Sequence, residues 1–193
     1  RHKFGSVGTA VDDFDIRIFD ESDKEVPRGQ WGEIVIRGPG VMKGYWNKPK
    51  DTEWALRGGW LHSGDLGTMD ADGYVRITGR LKEMIIRGGE NIYPREIEEF
   101  LFTYPKVAQV AVLGIPDAFY GEEIMAWVQL RAGQSASEEE LREFCRDGIA
   151  HFKIPRWIWF VEEFPTTVTG KLQKFRMREI ALEKMGQGTT GRT

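Results

Sequence analysis

Three charged side chains stand in settings where chemistry could use them. Asp65 closes Gly59-Trp60-Leu61-His62-Ser63-Gly64-Asp65 at the end of a loop, where a carboxylate can accept two neighbouring hydroxyls, such as those of a ribose. Arg80 carries a guanidinium able to reach the same hydroxyls or a phosphate. Lys171 ends the run Pro165-Thr166-Thr167-Val168-Thr169-Gly170-Lys171, a flexible polar loop that could set an ammonium against a developing negative charge. Asp65 and Lys171 also have plainer readings, a solvated loop aspartate and a surface lysine. His62 and His151 have no second histidine, cysteine or carboxylate at ligand spacing, so no metal site is read here. His62 reads as filler within its motif and His151 as part of a loop.

These groups are organised around the stretch from Gly79 to Glu98. It combines a charged elbow, an apolar strand, the Gly88-Gly89 turn and a helix start with Pro94 in the first turn, where proline forfeits no hydrogen bond. Glycine pairs tolerate positive φ and close approach, so Gly88-Gly89 is either a plain tight turn or one wall of a channel. From Val11 to about Thr78 the pattern is β throughout, with short strands suggesting a small distorted barrel or sheet and Asp70-Ala71-Asp72-Gly73 as a hairpin turn. The second half mixes helices with strands. Ile97, Phe100, Leu101 and Tyr104 fall on one helical face that Pro105 should stop, and Val107 to Ile115 and Ile124 to Leu130 read as strands. Ser137-Glu138-Glu139-Glu140 predicts a capped helix with Leu141, Phe144, Cys145 and Ile149 inward, which makes Cys145 a core residue and not a nucleophile. Trp157 to Val161 is a last strand, Lys174 to Met185 a last helix, and Gly186 to Thr193 a tail expected to be disordered.

Bulk properties narrow the partners. The 193 residues allow one or two domains. With 30 acidic and 27 basic residues, the net charge of −3 offers no field for nucleic acid or an anionic membrane. A single cysteine rules out an internal disulfide and makes a reducing, cytoplasmic compartment the default. No apolar run approaches a membrane span and no leader pattern is visible, so a soluble, unprocessed chain is expected. The start at Arg1, without an initiator methionine, reads as a fragment.

In order and spacing, the stretches around Asp65, Gly88-Gly89 and Lys171 resemble the adenylate-forming family of acyl-CoA synthetases, peptide-synthetase adenylation domains and firefly luciferase. Ile85-Ile86-Arg87-Gly88-Gly89-Glu90-Asn91-Ile92-Tyr93-Pro94 and His151-Phe152-Lys153-Ile154-Pro155 look closest to the medium-chain fatty acyl-CoA synthetases. Plant coumarate ligases and luciferases usually carry Lys-Gly where Gly88-Gly89 stands. The resemblance implies an α+β fold: residues 1–79 as the β-rich final subdomain of a large N-terminal body, then a small mobile α/β lid over residues 80–185. It gives Asp65 and Arg80 the ribose of ATP or AMP. Lys171 would bridge carboxylate and α-phosphate in adenylation, Lys82 would be the hinge, and Gly88 and Gly89 would line the tunnel for the pantetheine of coenzyme A. Arg87, Tyr120, Phe152, Lys153 and Arg156 are candidates for the nucleotide end of coenzyme A. The implied parent is a ligase of fatty acid metabolism that turns a carboxylic acid, ATP and coenzyme A into acyl-CoA, AMP and pyrophosphate through an acyl-adenylate. Its phosphate loop, its Mg2+ glutamate and its acyl pocket would lie upstream, so this chain alone should not turn over. Two other readings stand beside it, an adenylation enzyme that loads a carrier protein and a non-catalytic interaction module.

Overall fold

The computed structural model describes residues 3–189, which form two compact units, one reaching to Lys82 and the other beginning at Glu83. In the first, β1 (Asp15–Phe19), β2 (Trp31–Arg37), β3 (Leu61–Met69) and β4 (Val75–Arg80) make one antiparallel sheet in chain order. Strand alternation sends Ile16, Ile18, Ile34 and Ile36 to one face, where Met69, Val75 and Ile77 join them. The region read as all β also holds α1 (Pro49–Ala55). Its signals are local, Pro49 in the first turn and Asp51 beside the positive helix end, and it is too short to show an apolar period.

The second unit is built on β8 (Gly121–Leu130). This strand pairs antiparallel with β7 (Val107–Asp117), parallel with β9 (Trp157–Phe160), and through Arg87 and Gly121 with a small hairpin of β5 (Ile85–Arg87) and β6 (Glu90–Ile92). Its alternation is apolar on both faces, so both must be covered. Ile124, Ala126 and Val128 pack with Ile97 and Leu101 of α2 (Pro94–Phe102) and with Leu141 and Cys145 of α3 (Glu138–Gly148). Met125 and Trp127 pack with Met177 and Ala181 of α4 (Lys174–Thr189). Burying each larger side chain contributes about 1.5–3 kcal/mol, so the two helical layers hold the sheet firmly.

Three helix ends differ from expectation or refine it. Pro105 follows α2 as a stop should, with the helix ending at Phe102 and Thr103 as its C-cap; the Thr103 hydroxyl donates to the Phe100 carbonyl at 2.7 Å, and Tyr104 packs from the turn beyond and not from the helix. At α3, Ser137 Oγ accepts the Glu140 N–H at 3.1 Å as its type predicts, while the Glu140 carboxylate turns to the Tyr104 hydroxyl and to Lys106 at 2.7 Å. The last helix continues to Thr189, because its backbone ladder needs no apolar side chain past Met185; the rest of the expected tail, residues 190–193, lies outside the described residues. No helix among the described residues is long and apolar enough to cross a membrane.

Cys145 is fully buried, and burial pushes its thiol up to about 11. The folded chain is therefore expected to resist iodoacetamide at about pH 8 and to label only after denaturation. Labelling of the native protein at the rate of a free thiol would contradict its place in the core.

Candidate active site

Asp65 lies within β3 and not in a loop, at a point where the strand is distorted. The pairing of β2 with β3 runs from Val35 opposite His62 to Glu33 opposite Leu66, so Ile34 alone faces Ser63, Gly64 and Asp65. Such a bulge bends a strand and re-aims its side chains. Gly64 makes the turn possible with φ of +72°, a conformation costly for any residue with a Cβ. On the other side Asp65 pairs with Arg80 of β4, and Arg80 Nε lies 3.0 Å from Asp65 Oδ1. Arg80 is more than half exposed and the Asp65 side chain 29 % exposed, so the pair presents a partly exposed carboxylate and a guanidinium with donors to spare.

The group that sets this bulge escaped sequence reading. Glu33 is only 7 % exposed, and its Oε1 accepts the Gly64 N–H at 2.9 Å while Oε2 meets His62 Nδ1 at 2.7 Å. Arg57 reaches the same Oε2 at 3.4 Å and is itself held by both oxygens of Asp23 at 2.9 Å. Ser63 Oγ donates to the Ile34 carbonyl and accepts the Asp65 N–H at 3.1 Å. His62 is therefore a buried partner of Glu33 and not filler. One sequence signal was available: Glu33 shares strand parity with the fully buried Val35, so its carboxylate had to face inward and find partners.

In the second unit, Ile85–Ile92, Ile86–Asn91 and Arg87–Glu90 pairing leaves Gly88 and Gly89 as a two-residue hairpin loop. Their φ values of +59° and +89° define a turn that glycine fits without strain, so the backbone alone accounts for both residues. The expected strand–turn–helix run thus contains an extra strand, β6, before Pro94 opens α2. The Gly88 N–H donates to the Tyr120 carbonyl at 2.9 Å, and a Cβ on Gly88 would stand 3.2 Å from the Tyr120 ring, whereas one on Gly89 would meet nothing within 4 Å.

Of the five candidates for the nucleotide end of coenzyme A, three gather beside this turn. The Arg87 guanidinium lies 4.1 Å from the Tyr120 ring centre and 2.8 Å from the buried Glu123, with its Nε buried and without a hydrogen-bond partner among the described residues. Arg156 reaches Asp117 at 3.1 Å and Glu123 at 3.8 Å. The Asp117 carboxyl is held below the usual range by the Tyr120 and Phe119 N–H groups, with help from Arg156. Phe152 and Lys153 lie elsewhere, on the short turn His151–Lys153, where Lys153 pairs with Glu96 at 2.6 and 2.8 Å. Each of these cations already faces a carboxylate. Any phosphate would have to compete with it.

Lys171 is presented by a small closed hairpin. Thr166 bridges to Leu172, the Thr167 N–H donates to the Lys171 carbonyl at 2.8 Å, and Thr167 Oγ1 accepts the Lys171 N–H at 3.1 Å. The threonine is needed as an acceptor, so the loop is more ordered than its composition suggested. The Lys171 side chain is exposed, and its ammonium takes no partner among the described residues. Lys82, also exposed, sits in the turn Leu81–Glu83, where one unit gives way to the next. Asp65 and Arg80 thus belong to one unit, and Gly88, Gly89 and Lys171 to the other.

One unit thus offers an aspartate paired with an arginine on a bulged sheet, and the other displays a lysine without a partner among the described residues. Comparison with known proteins makes this specific. Residues 1–46 match the model of the AMP-binding enzyme family, and residues 96–171 match that of the AMP-binding enzyme C-terminal domain. The chain belongs to this family. It is 49% identical over 180 residues to the putative acyl-CoA synthetase YngI of Bacillus subtilis (strain 168), a match covering 92% of this chain and 33% of that protein. The mitochondrial medium-chain acyl-CoA ligase ACSF2 of Homo sapiens is 46% identical over 179 residues, covering 92% of this chain and 29% of the ligase. Among solved structures, ATP-bound MatB from Rhodopseudomonas palustris superposes with a TM-score of 0.87 at 40% identity, over 91% of this chain and 35% of that one. The chain therefore spans only about a third of the length of the relatives it matches.

Proposed function

We propose that this chain is the C-terminal portion of an AMP-forming acyl-CoA synthetase acting on a fatty acid. The Asp65–Arg80 pair carries the reading. A carboxylate anchored on one side by a guanidinium, on a strand bulge fixed from behind by Glu33, is preorganised to accept two vicinal hydroxyls of a nucleotide ribose. Residues up to about 79 would be the last part of the large body, residues 80–185 the lid, and Lys82 the pivot between them. With ATP so oriented, the acid's carboxylate oxygen attacks the α-phosphorus and the bond to pyrophosphate breaks. Lys171, with no competing carboxylate among the described residues, would stabilise the charge gathering between the two. In the second step the thiol of coenzyme A attacks the acyl carbon and AMP leaves, the thiol passing the open side of Gly89 while Arg87, Tyr120 and Arg156 lie near the carrier's nucleotide.

Among the described residues no three His, Cys, Asp or Glu side chains cluster so as to hold a metal ion. By the family resemblance, and not by that absence, Mg2+ would be held by residues outside this chain, and the chain alone would not turn over. One buried cysteine suits a reducing compartment such as the cytoplasm.

Asp65→Ala in the full-length protein tests the reading. The KM for ATP is expected to rise by about tenfold or more, as for loss of charge-assisted hydrogen bonds of about 1.5–3 kcal/mol, with the KM for coenzyme A unchanged. An unchanged KM for ATP would remove Asp65 from the nucleotide site.

A further inference from the structure

Lys174, which opens α4, is bound very differently from Lys171. Its Nζ donates to Glu83 Oε2 and to Glu98 Oε1, both at 2.8 Å, and the lysine side chain is only 21 % exposed. Glu98 Oε1 also accepts the Val112 N–H at 2.8 Å, so α2, β7 and α4 meet at one carboxylate. Burial works against the ammonium, but Glu98 and Glu83 outweigh it and raise its pKa above the ordinary lysine value. Lys174 therefore keeps its ammonium at neutral pH, and removing a carboxylate would leave a largely buried cation short of a partner.

The route from this cluster to Lys171 is short and stiff. Leu172 packs into the core beside Met177, the Gln173 N–H donates to the Pro165 carbonyl at 2.9 Å, and the Thr166–Leu172 bridge closes the hairpin. Glu83, at the other end, directly follows Lys82 in the chain. Nothing in the helix itself calls for a cation here, since its first turn is the positive end of the helix dipole.

We infer that Lys174, clamped by Glu83 and Glu98, is a positioning residue that locks the Lys171 hairpin to the segment immediately after Lys82. The two then move as one piece. This rests on the adenylation role proposed for Lys171, and it adds what keeps that ammonium in register: a rotation at Lys82 reaches Lys171 only if no slack lies between them, and misplacement by about 1 Å can cost about a hundredfold in rate.

The test uses the full-length protein and its two half-reactions, pyrophosphate release from acid and ATP, and thioester formation from supplied acyl-adenylate and coenzyme A. Lys174→Met is expected to lower the adenylation kcat by about tenfold or more with the KM for ATP within about twofold, and to spare thioester formation. Lys174→Arg, which can still span both carboxylates, should recover most of the rate, and Glu83→Gln should fall between. Adenylation unchanged in Lys174→Met, alongside its loss in Lys171→Ala, would overturn the inference while leaving the role of Lys171 intact. Equal loss of both half-reactions in Lys174→Met and Glu83→Gln would assign the cluster to the fold of the unit and overturn it too. If Lys171→Ala itself adenylates normally, the reading of Lys171 falls first and the inference with it.

Discussion

Lys171→Ala in the full-length protein is expected to slow adenylate formation by about a hundredfold, the loss of about 3 kcal/mol that follows removal of a preorganised charge-stabilising group. Thioester formation from supplied acyl-adenylate should stay within about twofold, because there the acyl carbon is attacked and the role proposed for Lys171 is confined to the attack on the α-phosphorus. The geometry makes the alanine variant informative. The Lys171 backbone, not its side chain, makes the hairpin's hydrogen bonds with Thr167, so removing the ammonium leaves the loop's shape in place. Because the ammonium has no partner among the described residues, no carboxylate is orphaned by the change. Equal loss of both half-reactions would sink the assignment.

The second large effect is expected at Glu33. Glu33→Ala removes the acceptor of the Gly64 N–H and the partner of His62 in a setting 7 % exposed, and should destabilise the first unit by about 2–6 kcal/mol, at about 1–3 kcal/mol for each of the two buried polar groups left without its partner. Chemical denaturation at neutral pH reads this directly as a lower midpoint. Glu33→Gln keeps one acceptor oxygen and should cost less. A midpoint shift for Glu33→Ala worth under about 1 kcal/mol would show that the bulge holds Asp65 without it.

Where alternation and helical periods were strong, the sequence carried the fold. Ile124, Ala126 and Val128 on one face and Met125 and Trp127 on the other were legible because a strand's period of two leaves them no alternative. Ser137 was legible because a serine before three glutamates has little else to do than accept an N–H. The misses share a physical cause. α1 is shorter than the window in which a period can be seen, and Asp65 reads as a loop residue because Gly59 and Gly64 resemble loop glycines.

The candidate site was legible in its residue types and incomplete in its supports. Asp65, Arg80 and Lys171 stand in local motifs, so their neighbours in sequence announce them. Glu33 and the Glu83–Glu98–Lys174 cluster do not, because their partners are brought together only by folding. Arg87, Lys153 and Arg156 showed the opposite limit. Their charge was visible, while Glu123, Glu96 and Asp117, which already face them, were not assigned to them from sequence.

The most direct measurement is product release by the full-length protein given ATP and a panel of short, medium, long and aromatic acids, with and without coenzyme A. Pyrophosphate release together with coenzyme A-dependent AMP release, strongest for medium-chain acids, is the predicted result. Pyrophosphate without coenzyme A-dependent AMP release would point to transfer onto a carrier protein, and release of neither product would contradict the account at its centre.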